Sequence, residues 1–125
     1  MATSAQYAST PKSNTVAIST ANTNRDGVTG TYGTLYTAGA SGGRIDRLNI
    51  TATSTTTAGM IRLFVDNALI QEIPVLAITP SGTQPAFSVN VDFDKGLILE
   101  AASVVTANTH NAESFNLTII SGGDF

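Results

Sequence analysis

Ala86-Phe-Ser-Val-Asn-Val-Asp-Phe-Asp94 is the stretch that decides the fold. Phe87, Val89, Val91 and Phe93 alternate with Ser88, Asn90 and Asp92. A period of two puts the apolar side chains on one face of an extended chain and the polar ones on the other. That is the pattern of a strand with one buried and one wet face.

Working outward, the same alternation returns. Residues 114–121 (SFNLTIIS) turn Phe115, Leu117 and Ile119 inward, and residues 15–20 (TVAIST) place Val16 and Ile18 together. Residues 44–53 (RIDRLNITAT) align Leu48, Ile50 and Ala52, while Ile45 is out of phase, which predicts a bulge near Asp46 and Arg47. Residues 60–65 and 69–77 flank Asp66-Asn67-Ala68, a hairpin spacing with residues at its tip that tolerate positive φ. Pro74 lies in the second of these runs. It cannot donate to a ladder, so that strand is expected at a sheet edge or bulged. Residues 31–37, 97–99 and 103–109 complete the strands, with Asp94-Lys-Gly96 expected to turn the chain.

Residues 22–30, 38–43 and 79–85 are loops dense in turn formers. No window shows a helical period, and no repeat appears. Abundant Thr, Val and Ile suit a pleated surface. The expectation is an all-β fold, an antiparallel β-sandwich of jelly-roll type over residues 15–125. Residues 1–14 (MATSAQYASTPKSN) have no period and are expected to form an extended N-terminal arm.

The length of 125 residues points to one domain. Charged residues make up 12% of the chain, about half the usual share. Thr fills 19 positions and Ser 11. A net charge of −3 argues against phosphate-backbone binding and against an anionic membrane surface. No apolar run approaches the ~20 residues of a membrane-spanning helix. The first residues lack the basic and apolar regions of a secretory signal. With no Cys, disulfides and thiolate chemistry are excluded. Asn49-Ile-Thr51 and Asn116-Leu-Thr118 match the glycosylation pattern, as chance allows in a Thr- and Asn-rich chain.

No enzymatic constellation stands out. His110 is the single histidine, with no Gly-x-Ser-x-Gly elbow to serve, and reads as a turn or interface residue. Asn22-x-Asn24-x-Asp26-Gly27 resembles the first half of a calcium loop, but its twelfth position is Gly33 rather than a bidentate Glu. A hydrogen-bonded Asx turn is the expectation there. Asp66, Glu72, Asp92, Asp94 and Glu100 read as solvated charges rather than paired glycosidase carboxylates. Phe87, Phe93 and Phe115 read as core, whereas Tyr32 and Tyr36 could form a surface platform for a sugar. No catalytic residue, cofactor or metal is expected. Tyr7, Pro11, Lys12, Arg25, His110 and Phe125 are the residues expected to contact another subunit or a capsid.

Several phrases together carry a resemblance: Asn22-Thr-Asn-Arg-Asp-Gly27, Leu35-Tyr-Thr-Ala-Gly-Ala40, Arg44-Ile-Asp-Arg-Leu48, residues 52–64, Glu72-Ile-Pro-Val75, Thr109-His-Asn-Ala-Glu-Ser-Phe115 and the final Gly-Gly-Asp-Phe125. Over roughly residues 15–125 the chain resembles small virion structural proteins of tailed bacteriophages. The resemblance implies a capsid decoration (cement) protein on the outer surface of the head. It implies a homotrimer with the major capsid protein as partner, and no enzyme residues. A tail, baseplate or head-fibre component is the alternative within that class. A carbohydrate-binding module using Tyr32 or Tyr36 is the alternative outside it. A surface of neutral polar residues suits contact with other protein better than it suits a solitary monomer.

Overall fold

A computed structural model describes residues 8–125. Among the described residues there is no helix, and so none long and apolar enough to cross a membrane. Nine strands are present: β1 (Thr10–Pro11), β2 (Thr15–Ile18), β3 (Gly33–Thr37), β4 (Gly43–Ala52), β5 (Gly59–Val65), β6 (Ala68–Val75), β7 (Ser88–Leu99), β8 (Val104–Thr109) and β9 (Phe115–Asp124). They form two antiparallel sheets. In the first, β1 and β2 both pair with β9, and the order continues β9-β4-β7; in the second the order is β3-β8-β5-β6. The molecule is a β-sandwich, as the alternation predicts.

The core follows from cross-strand rows. Val16, Leu117, Ile50 and Val89 are paired in register across β2, β9, β4 and β7. Leu48 stands between Ile119 and Val91 in the next inward row. Phe87 and Phe115 meet edge to face at 6.4 Å. From the second sheet, Leu35, Ile61, Leu63, Ile73, Val75, Val105 and Ala107 close over them. Burying such side chains supplies roughly 1.5–3 kcal/mol each, the main force holding the two sheets together.

The predicted bulge is present. The register of β4 shifts between Ile45 and Arg47 against both neighbours, so Ile45 and Leu48 are both fully buried. The hairpin is present too. Asp66 and Asn67 have φ of 49° and 68°, the left-handed pair of a tight two-residue turn. Pro74 sits on β6, an edge strand, as its missing N–H requires.

Two expectations need correction. Asp94-Lys-Gly96 does not turn the chain back. It lies inside β7, where residues 93–96 stand opposite Asp46 alone and form a long bulge. Lys95 and Gly96 take φ of 65° and 86°, which lets the chain leave the ladder and rejoin it along the same neighbour. Arg44 fills the space, its guanidinium donating to the Asp46 carboxylate at 2.5 Å and the Lys95 carbonyl at 3.4 Å. The second concerns the N-terminal segment. Its described part does not reach away from the domain: Thr10 and Pro11 pair with Asp124 and Gly123. Ser9 N–H donates to the Asp124 carbonyl and Lys12 N–H to that of Gly122. The open edge of β9 offers these backbone partners, and pairing there leaves fewer of them unmet.

The two outer faces differ. Residues 19–32 lie across the second sheet. Tyr32 packs edge-on to Phe64 at 5.2 Å, Asn22 N–H donates to the Thr109 carbonyl, and the Asn108 amide donates to the Asn24 carbonyl. Phe64 is thereby fully buried on the side away from the central core. Among the described residues, the outer face of the first sheet has no such cover.

Candidate functional site

The uncovered face of the first sheet is built by register. Thr15, Thr118, Asn49 and Asn90 form one row across β2, β9, β4 and β7, and Ala17, Asn116, Thr51 and Ser88 form the next. None of these eight side chains is charged. They bond to one another: Thr15 to Thr118 at 3.1 Å, the Asn49 amide to Asn90 at 3.0 Å, and Thr51 to both Asn49 and Ser88. Arg47 and Asp92, paired in register and ion-paired, continue the face with no net charge. Ile98 and Ile120 are exposed apolar side chains of the same sheet. A surface of short, mutually held donors and acceptors offers many polar contacts with little side-chain entropy to lose.

The sequence-singled residues fall into two other clusters. Pro11 and Lys12 border a cavity of about 410 Å³ between the N-terminal strap and β9, with Asp46, Ile120 and Ser121 on its walls. Lys12 lies 3.7 Å from the Asp124 carboxylate. That carboxylate also accepts from the Tyr36 hydroxyl and from the Gly39 amide at 3.1 Å. The Tyr36 hydrogen bond, with the Gly39 amide and Lys12, holds Asp124 below the usual carboxylate range. Burial and the adjacent carboxylate push the Tyr36 phenol up. Phe125 is not a loose tail: its N–H donates to the Gly42 carbonyl at 3.0 Å, and its ring is half-buried. Tyr7 lies outside the described residues.

Arg25 and His110 come together although 85 positions apart in the chain (110 − 25). With Ala58, Gly59, Met60 and Arg62 they line a cavity of about 220 Å³ at the margin of the covering loop. One carboxylate oxygen of Glu72 accepts from Nε of both Arg25 and Arg62, each at 2.9 Å. Hydrogen bonding from Arg25, with Arg62 beside it, holds Glu72 below its ordinary value. Arg62 Nη2 lies 3.5 Å from His110 Nδ1. The polar group beside the histidine is therefore a guanidinium rather than an orienting carboxylate, which is not the arrangement of a general base. The sequence reading passed over Arg62 and took Glu72 for a solvated charge, whereas it is ion-paired with two arginines. The available signal was one arginine within the apolar run 60–65, where a lone charge marks a strand covered on both faces.

The half-calcium-loop pattern is an Asx turn, as expected. Asp26 Oδ1 accepts the amides of Val28 and Thr29, and Oδ2 the Thr29 hydroxyl at 2.6 Å. Led by the Thr29 hydroxyl, these bonds lower Asp26 to about 2. Asn22, buried, holds the loop through the Thr29 and Thr31 carbonyls, both at 3.0 Å. Among the described residues no group of three or more His, Cys, Asp or Glu is placed to hold a metal ion.

The tyrosine platform does not form. Tyr36 is 1% exposed in the core, while Tyr32 is half-buried at right angles to Phe64, so the two rings share no surface. The alternation rule could not foresee this, because the adjacent Leu35 and Tyr36 of β3 are both buried. No protein-family model matches the chain, and comparison with curated proteins finds no significant match.

Proposed function

We propose that the protein is a non-enzymatic structural protein of a bacteriophage virion. In this reading it is a decoration (cement) protein that binds the major capsid protein as a homotrimer on the outer surface of the head. The observation that carries the reading is the contrast between the two outer faces. One sheet is covered by the chain's own loop, while the other leaves uncharged rows of Thr, Asn and Ser open. A face of that kind suits broad, weak polar contact, which closed symmetry and many copies multiply through avidity. The resemblance carried by the loop and terminal phrases points the same way. The strand order, β2-β9-β4-β7 facing β3-β8-β5-β6, supports reading the sandwich as a jelly roll, a fold common among capsid proteins.

The test adds purified protein to undecorated heads. Saturable binding with a rise in the heads' resistance to heat is the expected outcome. Binding should be lost when Asn90 and Thr118 are both replaced by Lys, which puts charge on the open face. Heads that neither bind the protein nor gain stability would end the decoration reading. Density for the chain on a tail or baseplate in intact particles would move it to that position. A trimer is expected from sizing in solution at high concentration, and a strict monomer would remove that part of the proposal.

A further inference from the structure

We propose that the cavity between Arg25, Arg62 and His110 is a binding site for a carboxylate. Its walls combine three nitrogen-bearing side chains with the apolar surface of Met60 and Ala58. Charge sets the ligand's sign. Arg25 and Arg62 share Glu72 as their common counter-ion, so these three side chains carry one surplus positive charge. Arg62 is deeply placed, with its side chain 3% exposed, and its Nη1 has no acceptor among the described residues. A buried guanidinium with unmet donors is costly unless more negative charge approaches it. His110 brings a ring nitrogen to the same wall, its Nδ1 3.5 Å from Arg62 Nη2.

The geometry favours a carboxylate over a phosphate. A single surplus charge matches a monoanion. Guanidinium groups pair with carboxylate and phosphate alike, so charge and the apolar wall decide between them. Met60 and Ala58 suit the short aliphatic stem that an acetate, aspartate or glutamate group brings. Glu113 does not occupy the place; it accepts from the amide and hydroxyl of Thr57 and is not among the cavity's walls. The inference stands apart from the virion reading, since it needs only this cavity and its charges.

The experiment is an amide and histidine-ring NMR titration of the full chain at constant ionic strength. The probes are sodium acetate and N-acetylglutamate N-methylamide, with chloride as reference and inorganic phosphate as competitor. Saturable shifts at Gly59, Met60 and His110 are expected from both carboxylates. Arg25→Gln removes the surplus charge and should weaken acetate by about fivefold, a range set by a partly exposed ion pair. Its side chain is 58% exposed, so the variant should fold. Glu72→Gln doubles the surplus and should tighten acetate. Tighter binding of the glutamyl probe than of acetate assigns the source to an acidic side chain of another protein. Equal affinities assign it to a free small acid. Linear, unsaturable shifts, identical shifts from chloride, tighter binding of phosphate, or no response to Arg25→Gln would each overturn the proposal.

Discussion

At the scale of single residues, backbone conformation and close approach decide which side chains are tolerated. Asn67 sits at φ 68° in the β5–β6 turn, where a branched Cβ crowds its own backbone. Asn67→Val should lower stability by about 1–2 kcal/mol, read from the urea midpoint at unchanged slope. Asn67→Gly should be neutral or better. Gly43 shows the second kind of constraint. A Cβ built there would lie 2.1 Å from the Tyr36 hydroxyl and 2.8 Å from the Gly123 carbonyl. Gly43→Ala should cost about 1–3 kcal/mol as the Tyr36–Asp124 contact is displaced. Thermal melts of that variant should show the loss, and an unchanged melt would mean that Tyr36 can move freely. The turn at Asp66-Asn67 was legible in the sequence because its chemistry is local. The need for glycine at 43 was not, because the atoms it avoids belong to β3 and β9.

At the scale of elements, alternation made β4, β7 and β9 readable. Each has one face in the core and one in solvent, so its residue types report its orientation directly. Leu117 and Thr118 are adjacent on β9 and face opposite ways. Leu117→Ala should cost about 2–5 kcal/mol, whereas Thr118→Ala should stay within about 0.5 kcal/mol. Chemical denaturation of the two variants checks this, and equal costs would contradict the register. The rule failed where an element was not a plain strand. A turn and a bulge both recruit Asp, Lys and Gly, so residues 94–96 carried the same signature for either. The shared neighbour β4, which β7 rejoins at Leu97, selects the bulge. On β5 the rule met a strand covered on both sides, and Arg62 and Phe64 lie buried under a loop whose own sequence reads as exposed.

For the molecule as a whole, Glu72 and Asp124 tie together parts distant in the chain while Asp26 closes its own loop, and all three are held below their ordinary values. Each therefore binds fewer protons folded than unfolded at mildly acidic pH. Stability should be full above the ordinary carboxylate values and fall as pH drops from about 4.5 toward about 2, the folded value of Asp26. Urea midpoints measured between pH 6 and pH 2 should trace that decline. Asp26→Asn should flatten its lowest part, and a flat profile in the native chain would contradict the hydrogen bonding described. Sequence alone determined the fold class, the bulge on β4 and the hairpin, because each follows from local periodicity or turn chemistry. Tertiary structure alone decided what lies over each sheet. It folded residues 19–32 across one outer face and laid no described segment across the other. It also strapped residues 9–12 to β9 and drew Arg25, Arg62, Glu72 and His110 around one cavity. Those outcomes depend on contacts between residues far apart in the chain, and their energies are set by burial and charge neighbours that a linear pattern does not encode.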